Sequence, residues 1–240
     1  MEKHTNMKNN KKMIGLIGGM GPFAGAEFCR LLLEKSAKNF GAKKCDDFPE
    51  IVLDSIPIPD FISDTKNLPT ATKILISRVK RLNKFGCTTI AMVCNTGHIL
   101  FPILSKVSNA KMISLISTIR NKVDLLNFKR VGLLATKTTI KSNLFQKEFK
   151  NTGIKLVIPN QKDIDTCEEL IREVIAGKNF GSKTNQLQTI IQKFIKEKGL
   201  EGVILGCTEL PLALPNNKLP NIVDCLDVLS DELLTNYYSN

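Results

Sequence analysis

Tryptophan is absent from this chain, and histidine and tyrosine occur only twice each. Single strands of nucleic acid are read by aromatic side chains set among basic ones, and no such motif is present. That absence outweighs the surplus of Lys plus Arg (34) over Asp plus Glu (23), a formal charge of +11. The basic residues are spread along the chain, and a lysine-rich, solubilising surface is their simplest cause. Anionic substrates are compatible with such a field but not demanded by it. With only His4 and His98, the sequence argues against a histidine-rich metal site and against any Ser/His or Cys/His triad that does not use His98. Cys29, Cys45, Cys87, Cys94, Cys167, Cys207 and Cys225 make an odd number with no C-x-x-C pair, poor material for a disulfide framework or a zinc site. No apolar run reaches the roughly 18 residues that would suggest a membrane span. The first residues, M-E-K-H-T-N-M-K-N-N-K-K, have no apolar stretch like that of a signal peptide. The expectation is a soluble, cytoplasmic protein with no nucleic-acid, membrane or metal partner, beginning with a mobile basic tail over 1–12.

What is present is an alternation. Met13 to Ile17 reads as a strand, Gly18-Gly19-Met20-Gly21-Pro22 as a turn, and Phe23 to Ala37 as a helix. Strands follow at Ile51 to Leu53, Thr88 to Val93 and Met112 to Ile116, with a helix from Leu68 to Phe85 stopped by Gly86. The second half repeats the rhythm. Strands are expected at Arg130 to Ala135, Ile154 to Ile158, Gly202 to Leu205 and Asn221 to Val223. Helices are expected at Ile140 to Lys150, Asp163 to Ala176, Thr184 to Lys198 and Cys225 to Leu234. At 240 residues the chain can bury one large core or two modest ones. The alternation predicts two similar Rossmann-like α/β domains with parallel sheets, 13–117 and 118–223, with a C-terminal helix over 224–240 packing back on the first.

More than rhythm is shared. M-I-G-L-I-G-G-M at 13 to 20 lies over R-V-G-L-L-A-T-K at 130 to 137, and I-A-M-V-C-N-T at 90 to 96 lies over V-I-L-G-C-T-E at 203 to 209. The separation of the two motifs is nearly equal in each half, which favours an internal duplication. Ligands of open parallel sheets bind outside the carboxyl ends of the strands, so Cys94 and Cys207, each just past such an end, should both face a ligand. Halves related by a pseudo-twofold axis would bring the thiols to opposite sides of one cleft. One thiol removes a proton from a carbon while the other delivers one to the opposite face, and the stereocentre inverts. A thiol suits this task because its ordinary pKa of about 8.5 lies within reach of neutrality. Asn95, Thr96, Thr208 and Glu209, with the N–H groups of the glycine turn, could hold a carboxylate and the charge that develops at Cα.

Together, G-G-M-G-P at 18 to 22, I-P-D at 58 to 60, C-N-T-G-H at 94 to 98, G-L-L-A-T at 132 to 136 and G-C-T-E-L at 206 to 210 resemble the cofactor-independent aspartate/glutamate racemases, the aspartate racemase branch in particular. The resemblance runs from Met13 to about Leu234. It implies no pyridoxal phosphate or other cofactor, no metal, a free amino acid as substrate and a homodimer. Carried over by position, it implies Cys94 and Cys207 as the acid/base pair, with Met20, Asn95, Thr96, Thr136 and Thr208 around the substrate; the turns themselves add Gly21 and Glu209, the latter read equally as a dipole partner at a helix start. Aspartate racemases of this kind typically carry an arginine directly after I-P-D, where this chain has Phe61. A lysine expected early in the second-half helix falls on Asp165, with Lys162 one turn earlier. Aspartate or glutamate is the family's default, yet a neutral or basic amino acid is an open alternative, with Asp54, Asp60 or Asp165 as counter-charge.

Other readings stand beside this one. Cys29, Cys87, Cys167 and Cys225 read as small buried hydrophobes. His98 reads equally as a structural hydrogen-bonding group and as a proton carrier. Gly15, Gly18 and Gly21 do not keep the dinucleotide spacing G-x-G-x-x-G, and the strand-end acid Asp54 lies too far along the chain for that fingerprint. Hydantoin racemase and maleate isomerase share the implied architecture, and a two-lobed amino-acid sensor is the non-enzymatic alternative.

Overall fold

The computed structural model describes residues 12–63, 65–178, 184–214, 219 and 221–239. The expected tail falls on residues 1–11, with His4, outside the described residues. Lys12 is tied down: its Nζ donates to the carbonyls of Asn236 and Tyr237 at 3.1 Å each. Among the described residues no helix is long and apolar enough to cross a membrane.

The first half lays down β1 (Met13–Gly18), α1 (Pro22–Phe40), β2 (Glu50–Ser55), α2 (Leu68–Phe85), β3 (Thr89–Met92), α3 (Phe101–Val107) and β4 (Lys111–Ile113). After α4 (Leu115–Leu125) come β5 (Arg130–Leu134), α5 (Lys137–Lys141), α6 (Leu144–Phe149), β6 (Lys155–Val157), α7 (Gln161–Ile175), α8 (Thr184–Lys198), β7 (Gly202–Leu205), β8 (Ile222–Asp224) and α9 (Cys225–Tyr238). Two four-stranded sheets result, in the orders β2-β1-β3-β4 and β6-β5-β7-β8, every pairing parallel. The matched orders express the internal duplication in three dimensions. β3 and β7 are interior strands, flanked on both sides, and their near-continuous apolar character follows from burial on both faces.

Three expectations need correction. The fourth strand ends at Ile113 rather than Ile116, because the Ser114 hydroxyl accepts the Ser117 N–H at 3.2 Å and starts α4 there. A division of the chain at 117/118 therefore falls inside a helix. The helix expected over Ile140 to Lys150 is two short ones, because Asn143 adopts φ 57° between them. The segment after Leu100, where no helix was expected, forms α3 with Pro102 in its first turn.

The halves share their largest core. Ile14 and Leu16 of β1, Val131 and Leu133 of β5, Phe28 of α1, Phe145 of α6 and Leu229 and Leu233 of α9 all belong to one buried cluster. The other face of each sheet has its own: Leu75, Val79 and Ile90 in the first half, Ile171, Ile191 and Val203 in the second. α9 packs on α1 and α4, where Lys35 donates to the Asp227 carbonyl at 2.8 Å and pairs with Asp231 at 2.6 Å. Packing of this kind fixes one half against the other.

Tightness in the second sheet can be measured. A Cβ on Gly132 of β5 would sit 2.4 Å from Phe194 Cε1 and 2.8 Å from Leu200 Cδ1. Gly132→Ala should therefore destabilise the protein by about 1–3 kcal/mol, the usual cost of overpacking. A lowered urea midpoint at unchanged slope is the expected result; an unchanged midpoint would show that Phe194 yields freely.

Candidate active site

Cys94 and Cys207 each lie two residues past the end of an interior strand and are each 4% exposed. Behind Cys94 the chain turns into a 3-10 segment (Thr96–Leu100), and the Gly97 N–H points back at Cys94 Sγ at 3.3 Å. Cys207 has a different companion: its Sγ–H donates to Glu209 Oε2 at 3.0 Å, and the Thr208 hydroxyl donates to the same oxygen at 3.0 Å. The other oxygen, Glu209 Oε1, has no hydrogen-bond partner and stands where a Cβ on Gly21 would be, at 1.5 Å. Only glycine fits that point, and its φ of 117° asks for glycine as well. The glycine turn of the first half and the Cys-Thr-Glu turn of the second thus meet at the Glu209 carboxylate.

Burial dominates the electrostatics. The Cys94 thiol is pushed up to about 12, first by burial and then by the negative field of Glu209, with the Gly97 and Thr96 N–H groups pulling the other way. Cys207 is raised well above the ordinary thiol range by burial, by Glu209 and, in smaller measure, by Cys94. Burial also raises Glu209, against the hydrogen bonds from Cys207 and Thr208. One carboxylate is thus felt by both thiols.

The predicted rim assembles in part. Asn95 is 1% exposed; its amide interacts with the Cys225 thiol and has no nitrogen or oxygen partner. Thr96 and Thr136 bond to each other at 3.1 Å and both to Thr139 at 2.9 Å, a buried hydroxyl triad that joins the halves. Thr136 also caps α5 by accepting the Thr139 N–H at 3.1 Å. Met20 is buried, and its Sδ packs against Gly97. Thr139 was not anticipated; the T-x-x-T spacing at a helix start is the signal that could have found it.

The residues expected to govern specificity are scattered. Phe61 lines a cavity of about 130 Å³ with Gly19, Met20, Gly21, Ile58, Ile62 and Arg172. Asp54 is not in that lining: its Oδ1 pairs with Arg81 of α2 at 3.7 Å, and its Oδ2 is buried without a hydrogen-bond partner. Asp165 pairs with Lys137 at 2.9 Å, which holds its carboxyl below the ordinary range, and Lys162 points into solvent. Sequence reasoning missed Arg172, a cation on α7 that reaches the cavity. It also missed Glu168, a buried carboxylate accepting from Ser63 and from the Lys137 N–H at 2.8 Å each. Nothing in the local sequence around either one marks it. Among the described residues no group of three His, Cys, Asp or Glu is placed to hold a metal ion.

His98 is structural in this arrangement. Its Nε2 accepts the Leu115 N–H at 2.9 Å, so Nδ1 carries the proton and donates to the Cys94 carbonyl at 2.7 Å. A second proton at Nε2 would face the Leu115 N–H, and burial lowers the pKa to about 4. Because the folded value lies below the unfolded one of about 6.5, the stability His98 contributes is complete above about pH 6.5 and is lost as the pH falls toward 4. Urea midpoints across that window should fall less steeply for His98→Gln than for the parent; equal slopes would show that another group is responsible.

Comparison with known proteins agrees with this architecture. The chain is 24% identical over 229 residues to the broad specificity amino-acid racemase RacX of Bacillus subtilis (strain 168), covering 94% of this chain and 98% of that protein. The crystal structure of an aspartate racemase homologue from Pyrococcus horikoshii OT3 superposes with a TM-score of 0.77 at 28% identity, covering 95% of this chain and all (100%) of that one. The aspartate racemase of Picrophilus torridus superposes equally well, at 0.77 and 27% identity over 94% of each chain. With the Asp/Glu/hydantoin racemase family matched over residues 17–230, the chain belongs to that family of isomerases.

Proposed function

We propose that the protein racemises a free amino acid without pyridoxal phosphate or any other cofactor, by two-base proton transfer between Cys94, Cα and Cys207. The observation that carries this reading is the pair of buried thiols at matching strand ends, both within the field of the buried Glu209 carboxylate, whose Oε1 has no hydrogen-bond partner. Burying a polar group without a hydrogen bond costs free energy, so an oxygen placed like Glu209 Oε1 suits a ligand that completes it. A substrate carboxylate could accept from Asn95 Nδ2, and a substrate ammonium could donate to Glu209 Oε1.

Each turnover needs one sulfur as thiolate and the other as thiol. Burial and the Glu209 charge favour the protonated form of both in the free protein. The existing Cys207–Glu209 hydrogen bond provides a route to the thiolate: the proton moves from sulfur to carboxylate, and a carboxylate whose pKa is already raised is a better acceptor. Cys207 then takes the Cα proton from one face while the Cys94 thiol protonates the other. The N–H of Gly97, aimed at Cys94 Sγ, stabilises the thiolate that this leaves. In the opposite direction the sulfurs exchange roles.

Aspartate or glutamate remains the family's default substrate, but Phe61 and the Lys137–Asp165 pair leave no cation at the expected positions. That favours a second reading, a neutral or basic substrate, in keeping with the broad specificity named for the Bacillus subtilis relative. The non-enzymatic sensor has no need of a second buried thiol at the matching strand end.

The test is Cα-hydrogen exchange in deuterium oxide with a panel of L-amino acids, no cofactor added, read by NMR and chiral chromatography. Deuterium incorporation with inversion is expected, and Cys94→Ser or Cys207→Ser should each reduce it by about 10²–10⁴-fold, the scale of a lost acid/base group. Glu209→Gln should slow exchange while circular dichroism stays unchanged. Full activity in either serine variant would sink the two-thiol mechanism, and binding without exchange would favour the sensor.

A further inference from the structure

The cavity beside the thiols lies between the halves. Its first-half wall is the glycine turn, Gly19 to Pro22, and the loop Ile58 to Ile62; its second-half wall is Arg172 and Ile175 of α7. Met20 and Gly21 are shared walls, since Met20 packs against Gly97 of the Cys94 turn and Gly21 touches the Glu209 carboxylate beside Cys207. The volume of about 130 Å³ approaches that of engineered apolar cavities, about 150 Å³, which admit benzene.

The lining is apolar except at one point. Arg172 Nη1 pairs with Asp60 Oδ2 at 2.7 Å, across the halves, and Arg172 also donates to the Ser63 hydroxyl, which in turn donates to the buried Glu168 at 2.8 Å. Among the described residues, the one cation that reaches the cavity is therefore already neutralised, with a second carboxylate behind it. A substrate carboxylate entering here would compete with Asp60 for the guanidinium, and a substrate ammonium would compete with Arg172 for Asp60. An uncharged side chain meets neither cost.

We propose that the Arg172–Asp60 pair is a specificity determinant that selects amino acids with uncharged, largely apolar side chains of leucine or methionine size. This rests on the racemase reading for its chemistry, but the selection itself is a property of binding. Both partners are part-exposed, at 36% and 52%, so the pair can be altered without opening a core.

Calorimetric affinities for L-methionine, L-glutamate and L-lysine should be measured on the parent, Asp60→Asn and Arg172→Gln, alongside deuterium exchange on the same amino acids. The parent should bind methionine in preference to both charged amino acids. Asp60→Asn, which frees the guanidinium, should shift the glutamate-to-methionine ratio toward glutamate by about fivefold, the upper scale for a part-exposed ion pair. Arg172→Gln should shift the lysine-to-methionine ratio the other way, toward lysine, by a similar factor. Preference of the parent for glutamate or lysine, failure to bind any of the three, or ratios unmoved in both variants would overturn the proposal. Selective binding that responds to the variants without any exchange would leave the pair's role intact and overturn the racemase reading instead.

Discussion

A buried carboxylate without a cation is the constraint around which the centre of this protein is arranged. Glu209 is 1% exposed, and the groups that satisfy it are a thiol and a hydroxyl on its own turn. An isolated charge so placed is costly, and the protein meets that cost in part with hydrogen bonds and in part by raising the group's affinity for a proton. The glycine turn must stay open for the carboxylate to lie where it does, because any side chain at Gly21 would overlap Oε1. The raised proton affinity of both thiols and the unpartnered Oε1 follow from that one placement.

The duplication supplies two equivalent strand ends and the chemistry makes them unequal. On the Cys94 side the sulfur faces a backbone N–H, and His98 locks the turn to the start of α4 through two neutral hydrogen bonds. On the Cys207 side the sulfur faces an acid. Both sulfurs thus have a backbone donor that favours the anion, and Cys207 has in addition an acceptor that can take its proton. The Thr96, Thr136 and Thr139 hydroxyls tie the Cys94 turn to the start of α5 in the second half. The shared core beneath holds the two turns in register, since α9 returns from the second sheet to pack against α1.

Much of this was legible in the chain. Strand, glycine turn and helix at 13–40, the matching strand at 130–134 and the paired motifs around Cys94 and Cys207 follow from periodicities and repeats that are local in sequence. The misreadings were also local in origin. Apolar Leu115 and Ile116 extended a strand on paper because both are buried, whereas a single serine hydroxyl at 114 turned them into a helix. Asn143 in the left-handed region cut a helix that its apolar spacing would have continued. In each case a side-chain or backbone detail at one residue outweighed a pattern spread over several.

The sequence by itself determined the two parallel α/β halves, the position of each cysteine at an interior strand end and the absence of the expected cation after I-P-D, because these depend on residue order alone. Only the tertiary structure decided that Thr96 and Thr136 bond to each other, that Asp54 belongs to Arg81, and that Arg172 reaches Asp60 from the other half. Those are meetings of residues far apart in the chain. Which pairs meet is set by how the two sheets pack on their shared core, and that packing is a cooperative property of many buried side chains rather than a pattern within any one segment.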